Sequence, residues 1–295
     1  MKLFILAALV ICAFTNASAQ DEPVVVTTTR NIGKPEPRLE VIAIIENGQF
    51  KHPGGANNKR PDYKDADAFI KKYLPNGRKF YVVFGGGAAG TINLTDAGVH
   101  CHGLIYWNGP FQPGSLGISR IRGQVLGLAT TSDRIARSEI WRRAPSAAER
   151  TAAVKLAKSS FAKNGVTPAQ LSRMETANLT AIDVDGDNRA ELVGTFRLRN
   201  PDPERPPRYV FLIAEGEGAN YKTALASYRD FSKSEIFNIG EETLIDYLDL
   251  DPDGVAEIVT DYSNDHAAGH HIYRRQNSEW KLAYESSYEF CKSED

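Results

Sequence analysis

The chain has 295 residues, 35 basic and 37 acidic side chains and 42% hydrophobic residues, for a formal charge of −2. So even a balance excludes the basic footprint of a nucleic-acid binder, and the arginines occur only in small groups, Arg142-Arg143 and Arg274-Arg275, which read as solvated surface. The length allows one large domain or two modest ones.

Met1-Lys2 is a short positive start, residues 3–14 are an apolar run, and Ala17-Ser18-Ala19 is a small-residue cleavage pattern. This order predicts a secretory signal peptide over 1–19, cut before Gln20, and a secreted or periplasmic protein. The apolar run is shorter than the roughly 20 residues that span a bilayer, and no later stretch comes closer, so no membrane span is expected after cleavage. Cleavage removes Lys2 and Cys12 and leaves two cysteines, Cys101 and Cys291. In an exported chain an even count leads to the expectation of a disulfide, with two unrelated buried thiols as the alternative.

Residues 20–38 contain prolines, a Thr27-Thr28-Thr29 run and no helical period, and read as a flexible leader. Residues 39–45 are β-branched and end at Asn47-Gly48, a strand followed by a tight turn. A short helix over 66–73 stops at Pro75-Asn76-Gly77. Strand-like segments follow at 80–84, 91–95, 99–107 and 124–129, so 39–131 is expected to form an N-terminal antiparallel β domain. Pro145-Ser146 opens a helix over 147–162 that Asn164-Gly165 ends. Thr167-Pro168 then starts a second short helix, with Thr167 as N-cap and Pro168 at the first helical position. Residues 145–175 are therefore a helical connector, and from 176 to 291 the chain is β again.

Two nine-residue acidic segments stand out in that last region. Asp183, Asp185, Asp187 and Glu191 hold positions one, three, five and nine of the first, and Asp249, Asp251, Asp253 and Glu257 hold the same positions of the second. A hard cation such as Ca2+ takes about six to eight oxygens in a flexible cage, and alternating acids in a tight loop aim several carboxylates at one centre. The backbone carbonyl of position seven, Arg189 or Val255, adds another oxygen. Position six needs a sharp turn and holds Asn188 or Gly254, which tolerate a left-handed backbone. An EF-hand is excluded, because its bidentate acid stands at position twelve between helices, whereas Leu192-Val193 and Ile258-Val259 lead into strands. The competing reading is a pair of solvated turns, since Asp-Gly and Asp-Asn are common turn formers. Identical acid spacing in both segments favours Ca2+.

Each segment is followed by a further strand, at 208–213 or 270–274, and ends on an aromatic-lysine pair, Tyr221-Lys222 or Trp280-Lys281. This loop between strands resembles the FG-GAP or VCBS repeat, the blade unit of integrin-α-type β-propellers. The resemblance covers residues 176–291 and implies a calcium-binding loop of pattern Asp-x-Asp-x-Asp-Gly-x-x-Asp. The chain departs from that pattern at Glu191, Glu257, Asn188 and Pro252. A propeller needs four or more blades and only two acidic loops are present, so an unclosed two-repeat β domain is expected. The predicted fold is α+β and mostly β: N-terminal antiparallel β unit, helical connector, two-repeat FG-GAP-like β domain.

Other chemistry is weaker. Gly85-Gly86-Gly87-Ala88-Ala89-Gly90 satisfies G-x-G-x-x-G, but a dinucleotide fingerprint needs a following helix and an acid about 20 residues on, and residues 91–95 alternate like a strand. A glycine-rich hairpin turn is the better reading. His100 and His102 flank Cys101, and His266, His270 and His271 form a second group. Zinc would need these groups to converge or an acid such as Asp265 to join, and ordinary strand histidines are expected instead. No serine sits in a G-x-S-x-G elbow. The expected function is that of an exported, non-enzymatic calcium-binding protein serving binding, adhesion or the cell envelope, with an extracellular protein or glycan as partner. The alternative is a secreted hydrolase with structural calcium and a site between its halves.

Overall fold

The computed structural model describes residues 23–30, 37–53, 63–100, 104–114, 126–137, 142–202, 207–230, 241–263 and 267–289. The chain is α+β and mostly β, with three antiparallel sheets among the described residues. Cys101, Cys291, His102 and His266 lie outside the described residues, as do residues 1–19 with the expected signal peptide. No described helix is long and apolar enough to cross a membrane.

The first sheet has nine strands, β1 (Val24–Arg30) to β9 (Leu126–Thr130), in the order β6-β7-β2-β1-β9-β4-β5-β8, with β3 (Gln49–Lys51) on β2 (Arg38–Glu46). The expected leader is corrected here: Val24–Arg30 is β1, paired on both sides with β2 and β9. Six successive β-branched residues suit an extended, packed strand, and Val25 to Thr29 are almost wholly buried. Prolines flank this segment and do not interrupt it. The turn after β2 is as expected, with Asn47 and Gly48 both at positive φ (53° and 72°), as a two-residue hairpin requires.

β7 (Leu104–Asn108) is next to one end of the strand order and β8 (Phe111–Pro113) is at the other, yet only Gly109-Pro110 separates them in the chain. The sheet therefore curls until its ends meet. At the junction a Cβ on Gly109 would fall 2.0 Å from the Asn93 carbonyl oxygen, so only glycine fits. The concave side is filled by Leu39, Val41, Phe80, Val82, Ile92, Ile105 and Trp107, with the Phe80 and Trp107 rings 4.0 Å apart. Helix α1 (Tyr63–Tyr73) packs Ala66 and Phe69 into the same cluster.

Helix α2 (Ala147–Lys163) begins where the sequence predicts. Ser146 and Glu149 form a capping box, which satisfies two of the amides that every helix start leaves orphaned. Arg143 donates to both Glu149 oxygens at 2.7 Å and exchanges backbone hydrogen bonds of 2.9 and 3.0 Å with Ala181. The Arg143 side chain is still 52% exposed, so it lies at the surface as expected while bracing the start of the helix. A second capping box, Thr167 with Gln170, starts α3 (Pro168–Leu171).

The second sheet runs β10 (Met174–Ile182), β11 (Glu191–Leu198), β12 (Arg208–Glu215) and β13 (Lys222–Asp230) in chain order. The third runs β14 (Thr243–Leu248), β15 (Glu257–Ser263), β16 (Ala267–Gln276) and β17 (Glu279–Glu289). Alternate residues of each strand serve different cores. Leu192, Phe196, Val210 and Leu212 pack against Ala153, Ala157 and Phe161 of α2. Their neighbours Val193, Phe211 and Ile213 pack against Tyr247, Ile258 and Tyr273 of the third sheet. The opposite face of that sheet, with Ile245, Leu248, Val259 and Ile272, packs on Val26, Ile42, Ile45, Val83 and Leu128 of the first. The layers are thus α2, second sheet, third sheet and curled sheet. Two-sided burial accounts for the unbroken apolar run from Tyr209 to Ala214, which a half-solvated antiparallel strand would interrupt.

A polar lock joins the third sheet to the first. Gly85 and Gly86 form the turn between β4 (Lys79–Phe84) and β5 (Gly87–Asn93), at φ 65° and 78°, as the sequence predicts for the glycine-rich segment. Both amides donate to the Asp246 carboxylate, at 2.7 and 2.9 Å. The Tyr247 hydroxyl donates to the Gly85 carbonyl at 3.1 Å. Asp246 is fully buried; burial pushes its carboxyl up to about 6, against the nearby Arg142 charge and the glycine amides, which pull it down. Asp246→Ala would leave these amides without an acceptor, and a loss of about 2–4 kcal/mol is expected in urea unfolding. The folded carboxyl holds its proton up to about pH 6 and the unfolded one only to 3.8. This group therefore withdraws stability as pH rises through that window, and the difference between wild type and Asp246→Asn should shift across it in that direction.

Candidate metal centre

Both acidic segments fall at the same place in their sheets, between the first and second strands. Register closes each loop at its last acid: Ile182 pairs with Glu191 and Leu248 with Glu257. The position-nine acids are therefore the first residues of β11 and β15, only 5% and 1% exposed. Each folds back on its own loop, accepting from the Val184 amide at 3.0 Å and the Leu250 amide at 2.7 Å. The position-one acids also match, with Asp183 accepting from the Asn188 amide at 2.9 Å and Asp249 from the Gly254 amide at 3.2 Å. Position six is left-handed in both, Asn188 at φ 66° and Gly254 at φ 90°, as its residue types predict. Asp187 and Asp253 accept from the position-seven amides of Arg189 and Val255, at 2.7 and 2.8 Å.

The carboxylates converge differently. In the first loop Asp183, Asp185 and Asp187 each place an oxygen within 4.8 Å of the others, and in the second Asp249, Asp251 and Glu257 do so. Glu191 and Asp253, expected as ligands, fall outside these groups. One oxygen of Asp183 and one of Asp251 are buried with no hydrogen-bond partner. A buried carboxylate oxygen without a donor is costly, so a cation between the aspartates would supply what the protein does not. Burial pushes both Glu191 and Glu257 up to about 7, and raises Asp249 and Asp251.

The arginine pair on β16 is the feature that sequence reasoning missed. Arg274 and Arg275 are adjacent, so their side chains leave opposite faces of the strand. Arg274 donates to Glu257 at 2.6 Å, lies 3.3 Å from Asp251, and stacks 4.8 Å from the Phe50 ring centre. Arg275 crosses to the neighbouring sheet, donating to Asp185 at 2.6 Å with Glu215 at 3.3 Å. Trp280 of the second aromatic-lysine pair donates to the same Glu215 at 2.9 Å. Tyr221 of the first donates to the Ala190 carbonyl at the foot of its loop, at 2.8 Å. The expectation that Arg274-Arg275 is solvated surface is therefore wrong: each guanidinium serves one acidic loop. No local signal in Arg-Arg points to this, because the acids come from distant segments.

The histidines lie elsewhere. His270 and His271 are buried on β16. The Nδ1 of His271 is 2.8 Å from Glu242, which also accepts from Tyr273 at 2.7 Å and Thr260 at 2.8 Å. Among the described residues no metal-compatible group includes a histidine. His100 falls in β6 (Asp96–His100).

No family model, curated protein or solved structure matches this chain.

Arg274→Met keeps the aliphatic stem and removes the charge beside buried Glu257. Leaving one member of a buried ion pair alone is expected to cost about 3–5 kcal/mol. The penalty applies to the ionised carboxylate, so urea unfolding should show a larger loss at pH 8 than at pH 5, below the Glu257 value of about 7.

Proposed function

We propose that this is an exported calcium-binding protein whose C-terminal half presents a binding surface for an extracellular protein or glycan, with the ion holding the acidic loops in shape. The observation that carries the calcium reading is the convergence of Asp183, Asp185 and Asp187 around a buried Asp183 oxygen that has no partner. Hard oxygen donors at this density suit Ca2+ better than a thiophilic metal. The likeness of the loop spacing to FG-GAP and VCBS repeats supports the same ion. Export rests on the N-terminal pattern ending at Ala17-Ser18-Ala19.

In this reading the two loops differ in strength. Arg274 already neutralises Asp251 and Glu257 from a nearly buried position, with 12% of its side chain exposed. Arg275 touches only one acid of the first loop. The first loop is therefore the tighter site, and the second gains an ion only by giving up part of its contact with Arg274.

Extracellular calcium modules bind in the range of about 10⁻⁴ to 10⁻³ M. At 10 mM calcium, a site with a Kd of about 10⁻⁴ M stabilises the fold by about 2.7 kcal/mol, which a thermal melt against chelated protein detects. Asp183→Asn combined with Asp187→Asn should remove most of that shift. A wild-type melt unmoved by 10 mM calcium would overturn the assignment. N-terminal sequencing of the exported protein is expected to begin at Gln20.

A further inference from the structure

At the opposite end of the second sheet from its acidic loop, three arginines surround one hollow. Met174 pairs with Leu198 and Leu198 with Arg208, so the start of β10, the end of β11 and the start of β12 lie in one row. Arg173, Arg199 and Arg208 sit at these strand ends and line a small surface hollow of about 40 Å³ with Gln170 and Asn200, against walls of Leu198 and Pro201. No carboxylate lines it.

Both lining amides accept hydrogen bonds from their own chain segment. The Gln170 oxygen accepts from the Thr167 amide at 2.8 Å in the α3 capping box, and the Asn200 oxygen accepts from the Asp202 amide at 3.2 Å. Gln170 also accepts from the Thr167 hydroxyl at 3.1 Å, whereas the Asn200 oxygen keeps a second lone pair, and both side chains carry NH₂ donors. The side-chain polar groups of the hollow are therefore mainly donors: three guanidiniums and two amide NH₂ groups, against one remaining lone pair on Asn200.

Two of the three arginines already meet an acid outside the hollow. Glu175 lies 2.9 Å from Arg199, in a pair whose side chains are 63% and 46% exposed, and such pairs exchange partners at little cost. Asp230 lies 3.4 Å from Arg208 on the next strand and orients it. Arg173 is exposed and, among the described residues, has no ion-pair partner, while exposed Asp202 follows Pro201 of the wall.

We propose that this hollow is an oxyanion site that takes a phosphate or sulfate group. Guanidinium forks present paired N–H donors that match two oxygens of one anion. Three forks from separate strand ends suit a tetrahedral group with three or more oxygens better than a planar carboxylate. The site is independent of the acidic loops and of the calcium reading.

The test is calorimetric titration of the full chain, dialysed free of divalent cations, with sodium phosphate, sodium sulfate and sodium acetate in a chloride buffer of constant ionic strength. Saturable one-to-one binding is expected for phosphate, sulfate or both, with acetate at least tenfold weaker; the two tetrahedral arms distinguish which anion the site prefers. Arg173→Ala should weaken binding tenfold or more. Arg173→Lys, which keeps the charge and loses the fork, should weaken it less. Lys155→Ala, exposed on α2, should leave it unchanged. Arg173 is at the surface, and circular dichroism should show each variant folded. The proposal is overturned if neither tetrahedral anion saturates, if acetate binds equally well, or if Arg173→Ala binds like wild type.

Discussion

The third sheet is covered on both faces, and most of the molecule's polar chemistry follows from that constraint. Its strands lie between the second sheet and the curled N-terminal sheet, so an ionisable side chain on them is removed from water unless a partner is brought to it. Asp246 receives the amides of a glycine turn from the first sheet. Glu257 receives Arg274, and Glu242 collects Thr260, His271 and Tyr273. These contacts tie the layers together as much as the apolar clusters do. They also specify how the layers align, since each polar group finds its partner in one register only.

The same constraint divides two loops that share three of their backbone hydrogen bonds to acids. Both use a buried glutamate to hold the second loop residue, and both turn through a left-handed sixth position. They differ because Arg274 and Arg275 leave β16 on opposite faces. One guanidinium is nearly buried against its own loop and Phe50. The other reaches a neighbouring loop and is shared with Glu215. A one-residue offset along a strand thus gives similar loops different electrostatic surroundings, with direct consequences for any cation they hold.

Much of the local structure was legible in the residues. Ser146 with Glu149 and Thr167 with Gln170 are capping boxes within four residues of chain, and Asn47-Gly48 and Gly85-Gly86 are turns for the same reason: the interactions that decide them are local. Asn188 and Gly254 at a left-handed position are likewise dictated by what a Cβ allows. Val24–Arg30 was misread because flanking prolines and a threonine run resemble a linker. Its place between β2 and β9 depends on partners far along the chain.

By itself the sequence determined the mostly β composition, the helical connector, and the alternating acids of 183–191 and 249–257, because period, caps and spacing act over a few residues. Tertiary structure alone decided which acids converge, that Glu191 and Glu257 are buried strand residues, and that Arg274 and Arg275 are ion-pair partners. It also gathered Arg173, Arg199 and Arg208 at one end of a sheet. The physical reason is common to all of these: a charge is tuned by whatever lies within a few ångströms of it, and those neighbours come from segments whose distance along the chain leaves no trace in local pattern.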